Sequence, residues 1–279
     1  MGDLGIKMTI LLGNHDICYR HSLCINSPEL LLGEYDHIQV INKPTQIKIG
    51  NTSFDIIPWM CDENTEEIAK FVSRKDRGSV LLSHLELSGF PMSKGDQPHS
   101  GPNKGTMFDG YGIVFTGHFH TRSSKGNITY TGTPYEITWV DYADPKGFYV
   151  YDTITGNYEF VRNPLTIFEK VYYKSGSTFD IKTLRGKIVK IIVSEKGDPI
   201  LYERWLDSVR LVEPHELKII DGEINLIDDD TIDGSVEITD TRTIIKNYID
   251  KLDTAVSVDD LNNYMQNLYN EALTIDDTL

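Results

Sequence analysis

The chain has 279 residues, 39% of them hydrophobic and 25% charged, a length and balance that fit one large or two smaller globular domains and exclude disorder throughout. No apolar run reaches the ~20 residues that span a bilayer, and residues 1–20 lack the basic, apolar and small-residue pattern of a leader, so the sequence predicts a cytoplasmic protein without a membrane contact. The net charge of −15 sits in the tail, where residues 221–279 hold 15 acidic against 3 basic side chains and residues 1–220 hold 27 against 24, so a polyanionic ligand stays open for the front of the chain.

In chain order, "MTILLGNHDI" (8–17) reads as a buried strand delivering Asn14, His15 and Asp16 to its carboxyl end. Cys18, Cys24 and Cys61 are odd in number and form no CxxC pair, which predicts buried free thiols. Ser27-Pro28 followed by "ELLLGEY" predicts a short helix capped by Ser27. Strands follow at 38–41, 45–50 and 52–59, with a hairpin turn at Gly50-Asn51. A helix over 64–75, capped by Asn64, turns Ile68, Phe71 and Val72 to one face. Strand 79–86 contains His84, residues 88–110 form a long Gly-, Pro- and Ser-rich loop, and "YGIVFTGHFH" (111–120) is a second buried strand ending in a polar cluster. Further strands run to residue 163, with a turn at Thr155-Gly156. Helices alternating with strands, and polar clusters at strand ends, predict a layered α/β domain over 1–163 with its site at the carboxyl edge of the sheet. A small α/β cap domain follows over 164–220, with strands at 167–174, 187–194 and 215–220 and a helix at 198–210 whose Ile200, Trp205 and Val209 point inward. Residues 221–240 form an acidic linker, more a solvated spacer than a mimic of DNA. Helices over 241–252 and 257–273, the second started by Ser257 and Asp260, end the chain and either cover the cap or dock a partner.

Asn14-His15 follows one strand, His84 ends another, and His118 with His120 follow a third. A lone histidine at a strand end is most often a hydrogen-bonded structural residue, but three such ends point to a shared site. Imidazole suits Mn, Fe and Zn while an amide oxygen suits harder cations, and the mixture argues for a catalytic centre over a structural zinc. In "GHFH" the glycine permits a tight exit from the strand, so that 118 and 120 can each address one of two adjacent ions.

"GNHD", the "SH" of "LLSHLELSG" and "TGHFH" followed by "YTGTP" resemble the third, fourth and fifth motifs of the calcineurin-like metallophosphoesterases. More narrowly, "IIPWMCDEN", the setting of His84, the cap and the acidic, helical tail resemble the SbcD-type nuclease subunit of double-strand-break repair complexes, in the form found in tailed-phage recombination endonuclease subunits. The resemblance implies an α/β metallophosphoesterase sandwich with a small α/β cap domain and a helical tail (241–279) that docks a partner. It implies two divalent ions, Mn2+ by preference, with Asn14, His84 and His118 on one and His120 on the other. His15 then stabilises the transition state or protonates the leaving oxygen, and Asp16 has an orienting role. Lys94, His99 and Lys104 of the long loop, with Arg122 and Tyr135, either touch phosphate and bases or form a polar surface without a ligand. The implied partners are DNA, an SMC-like ATPase of the SbcC type and a second copy of the chain, in the host cytoplasm if the chain is phage-encoded.

The sequence departs from that family ahead of "GNHD": no D-x-H and no G-D-x-x-D precede it, and roughly 60–80 residues of two strand-helix units are expected there. Those motifs supply the remaining ligands of one metal and the carboxylate that bridges both. The expectation is an N-terminally incomplete sandwich that binds at most one ion weakly, has little nuclease activity alone, and leaves the neighbours of "MTILLG" unpaired. Three functions stay open: the metal-dependent DNA endonuclease and exonuclease subunit; a phosphoesterase for small phosphodiesters or a phosphoprotein; and a non-catalytic fragment, or half of a split enzyme, that keeps partner binding.

Overall fold

The computed structural model describes residues 4–101, 105–176 and 178–221, together with 249, 257, 261–265 and 268. The chain gathers into two compact units, Met1–Ile137 with Asp141–Ile220, and Thr138–Val140 with Asp221–Leu279.

Within the first unit, the described strands build one sheet of six. β5 (Thr45–Ile49), β6 (Thr52–Ile57), β7 (Val80–His84), β8 (Ile113–Gly117), β10 (Ile128–Tyr130) and β9 (Ser123–Lys125) lie in that spatial order. The inner pairs β6/β7, β7/β8 and β8/β10 are parallel, and the two edge strands are antiparallel to their neighbours. Alternation along each strand sends its residues to two layers. Leu81, Val114 and Tyr130 pack with Ile68 and Val72 of α2 (Thr65–Ser73) on one face, whereas Val80, Phe115 and Phe54 pack on the other with Tyr149 and Tyr151 of β11 (Gly147–Tyr151), which pairs with β12 (Tyr158–Arg162). The sheet is thus filled between a helix and a hairpin, the layered α/β arrangement expected from the sequence.

β1 (Met8–Leu11) runs parallel to β4 (Ile38–Ile41), and among the described residues this pair forms a sheet of its own. Between them come the hairpin of β2 (Ile17–Tyr19) and β3 (Ser22–Asn26) and the short α1 (Ser27–Leu32). The cap of α1 falls one residue earlier than expected: the Asn26 side chain accepts from the Glu29 amide, which places Pro28 at the second helical position. Asn64 precedes α2, but its amide group bonds the Cys61 N–H and the Trp59 carbonyl rather than the helix's first amides. Cys61 is buried, whereas Cys18 and Cys24 on the β2/β3 hairpin are exposed, against the expectation of three buried thiols; all three are free.

β13 (Phe168–Lys174), β14 (Ile188–Glu195) and β15 (Glu216–Asp221) make a three-stranded sheet backed by α3 (Pro199–Leu211), with an apolar cluster separate from the larger one. Asp198 caps α3 through the Ile200 and Leu201 amides. The inward face of α3 is Tyr202, Leu206 and Val209, with Trp205 half-buried; Ile200, expected inside, is exposed because it lies in the first turn, off the stripe those residues define. The expected boundary at 163 falls between β12 and β13. Glu136 joins the parts across that boundary by accepting from the Ile167 and Phe168 amides at 2.7 and 2.9 Å.

In the second unit residues 261–265 are helical, and the Leu261 amide donates to the Ser257 carbonyl at 3.0 Å. Residues 222–240, and all of the helix expected over 241–252 except Ile249, lie outside the described residues. Among the described residues no helix is long and apolar enough to cross a membrane.

Candidate active site

Parallel strands carry whatever follows them to one edge. The register pairs Ile57 of β6 with Ser83 of β7, and His84 with Gly117 of β8, so Trp59, His84 and His118 leave the sheet side by side. β1 arrives at the same edge because the Trp59 amide donates to the Leu12 carbonyl at 2.7 Å.

The turn after β1 is closed by its own carboxylate. The Gly13 amide donates to Asp16 Oδ2 at 2.7 Å and the Asp16 amide donates to the Gly13 carbonyl at 3.2 Å. These bonds close the turn that leads to Asn14. Asn14 Oδ1 stands 3.0 Å from His84 Nε2 and 3.2 Å from His118 Nδ1, and the two imidazole centroids are 5.3 Å apart. His15 is exposed, and its charge bears on both rings.

Burial lowers the His84 pKa to about 4, with His15 adding to the effect, and burial lowers that of His118 to about 3, with the surrounding histidines adding to it. Both rings are therefore neutral near pH 7, the form in which imidazole offers a lone pair to a cation.

Two glycines make room for His84. A Cβ on Gly117 would stand 2.8 Å from its Nδ1, and a Cβ on Gly13 would stand 3.0 Å from its Cε1. The glycine of "GHFH" therefore serves space rather than the exit turn: the left-handed backbone belongs to His118, at φ 92°. Such a conformation in a non-glycine residue costs about 1–3 kcal/mol and persists where the surroundings hold it. Trp59 lies against both rings, with centroids 5.1 Å from His118 and 6.0 Å from His84, and walls one side of the site.

The other expected residues fall around this group. His120 is tied through its backbone to Met92 and Thr133, and its Nδ1 faces Asp141 Oδ1 at 3.4 Å. His99 folds back along Gly89 and Phe90 by two backbone bonds, packs edge-on against Phe119, and places Nε2 2.9 Å from Glu86 Oε1. Arg122 spreads its guanidinium over the Phe160 ring, and Lys94 donates to the Ala143 carbonyl. Tyr135 is exposed, and Lys104 lies outside the described residues. Trp59, Gly13 and Asp141 were not read as site residues from the sequence; a tryptophan directly after a strand that ends at the same edge was the available signal.

The donors fit one divalent cation. One amide oxygen and two neutral imidazoles converge within hydrogen-bonding distance, a mixed set suited to metals of intermediate hardness. They do not fit two: no group of three His, Cys, Asp or Glu side chains among the described residues could hold an ion, and Asp141 beside His120 is bonded to Lys146 and to the Ile137 amide.

No family model matches the chain. It is similar to a protein of Enterobacteria phage T4 named exonuclease subunit 1, with 32% identity over 275 residues that cover 98% of this chain and 79% of the relative.

Proposed function

Since the chain belongs to the family of phage exonuclease subunit 1, we propose that it is the nuclease subunit of a recombination and repair complex and hydrolyses DNA phosphodiester bonds with a divalent metal ion, Mn2+ by preference. The observation that supports this most is the convergence of Asn14 Oδ1 with His84 Nε2 and His118 Nδ1 at the shared strand edge. Asn14, His84 and His118 would hold the cation, whose chemistry there would be Lewis-acid polarisation of the phosphodiester and acidification of water. The protein's own groups do the rest. His84 and His118 stay neutral by burial, Asp16 and the two glycines fix their geometry, and Trp59 shields one side from solvent. His15, exposed beside them, donates a proton to the departing sugar oxygen. His120 bears on the same phosphate.

The relative's name makes it a subunit, so a partner belongs to the reading. Residues 241–279 are proposed to dock an SMC-like ATPase of the SbcC type, within an assembly containing two copies of the chain.

Three donors without a carboxylate hold an ion weakly, so turnover by this polypeptide alone is expected to be slow. That same donor set favours a second reading, a chain that retains binding surfaces without catalysis. Titration with Mn2+ and incubation with linear duplex DNA separate the two. The nuclease reading expects Mn2+-dependent cleavage that His84→Ala and His118→Ala abolish together with Mn2+ binding. Cleavage that survives both substitutions, or DNA left intact at saturating Mn2+, would overturn it for this chain.

A further inference from the structure

Asp141 and Lys146 stand outside every motif read from the sequence, yet both are buried, with side chains 1% and 3% exposed. Buried charges persist only when each is answered. Lys146 Nζ donates to Asp141 Oδ1 at 2.7 Å, to Asp144 Oδ2 at 2.9 Å and to the carbonyl of His120 at 2.8 Å, which uses all three of its protons. Asp141 accepts the Ile137 amide on Oδ2 at 2.9 Å, while its Oδ1 also faces His120 Nδ1 at 3.4 Å, an electrostatic pairing rather than a short hydrogen bond.

The result is a grip on one residue from two sides. The His120 carbonyl is held by Lys146 and by the Thr133 amide at 3.2 Å, its amide donates to the Met92 carbonyl at 2.9 Å, and its ring is faced by a carboxylate. A carboxylate next to Nδ1 favours the proton on that nitrogen, and the lone pair of the neutral ring then sits on Nε2.

We propose that Asp141 and Lys146 form a positioning pair for His120, fixing its backbone and its Nδ1–H tautomer so that Nε2 is the basic nitrogen it contributes to the active site. This rests on the nuclease reading for its consequence, though not for its geometry. Asp141 supplies the orienting charge, and Lys146 makes that charge tolerable in the interior and joins it to the backbone it serves.

Long-range proton–nitrogen correlation spectra of the 15N-histidine-labelled full chain, without metal at pH 8, read the tautomer directly, with His120→Gln assigning the signal. The expected result is Nδ1–H in the wild type and a shift toward Nε2–H in Asp141→Asn, whose amide can turn its own N–H toward the ring. Mn2+-dependent DNA cleavage should fall roughly 10- to 100-fold in the same variant, the usual scale for groups that orient a ligand. A purely structural ion pair would leave the tautomer unmoved. An Nε2–H wild-type ring, or an unchanged one in folded Asp141→Asn, overturns the role. The wild-type spectrum needs no variant, so a poorly folding Asp141→Asn chain leaves that criterion in force. A wild type that cleaves no DNA counts against the nuclease reading alone, because the tautomer is measured without metal or substrate.

Discussion

Gly117 shows how one missing methyl sets the site. Its Cβ would meet His84 Nδ1 at 2.8 Å, closer than side chains tolerate, whereas the Cβ of Gly13 would meet the same ring at 3.0 to 3.2 Å. Gly117→Ala is therefore expected to push His84 off Asn14 and to weaken Mn2+ binding roughly 10-fold or more, with Gly13→Ala doing less. Calorimetric titration of the two variants checks the order; equal affinities for both and for the wild type would show that the ring yields freely. The histidines of this site were legible in the sequence because imidazole at three strand ends is unusual by type alone. The cradle was not, since the clash that defines it joins residues far apart in the chain and leaves no trace in either motif.

At the scale of elements, Tyr130 of β10 supports the segment that follows β7. Its hydroxyl donates to the Leu85 carbonyl at 2.8 Å and accepts the Leu87 amide at 2.9 Å, so the chain just beyond His84 hangs on one phenol. Burial raises the Tyr130 pKa well above its ordinary 10. The folded chain then keeps a proton that the unfolded chain gives up, so this contribution is intact below pH 10 and declines as pH rises beyond it. Urea midpoints between pH 8.5 and 11 should fall above pH 10. In Tyr130→Phe they should start about 1–3 kcal/mol lower, from the two backbone groups left without the phenol, and fall less steeply. A parallel decline in both chains would remove Tyr130 as the cause. Five strands of the six-stranded sheet, β5 to β8 and β10, and its helix were readable from alternation and helical spacing, because each buries a face. β2, β3 and β9 escaped: β2 and β9 are three residues long and mostly exposed, and the buried positions of β3, Leu23 and Asn26, stand three apart, so none shows the period that alternation needs. The cap of α1 moved by one residue, and Asn64 at the start of α2 spends its side chain on other backbone groups, because asparagine can satisfy nearby groups in more than one way and only the surrounding turn decides which.

The residues of the site are apart in sequence from most of the chain's net negative charge. Every contact described for the site lies in the first compact unit, while 15 of the 42 acidic residues belong to residues 221–279. A chain ending at Ile220 should therefore retain Mn2+ affinity within about twofold, the scale of scatter between independent sites. A larger loss, measured against the full chain in the same titration, would place part of the site's support in the second unit. The arrangement of domains was legible only in outline. Two separate apolar clusters lie on either side of residue 163, Glu136 joins the segments across it, and one buried glutamate gives no compositional signal of such a join.

The ring of Trp59 lies within 5.1 and 6.0 Å of the two histidines that converge on Asn14. An indole so close to the cluster is an internal light source for it. Its emission is sensitive to a paramagnetic neighbour, so occupation by Mn2+ would dim it. The protein thus carries its own optical record of site filling, readable before any DNA is added and independent of whether a bond is ever cut.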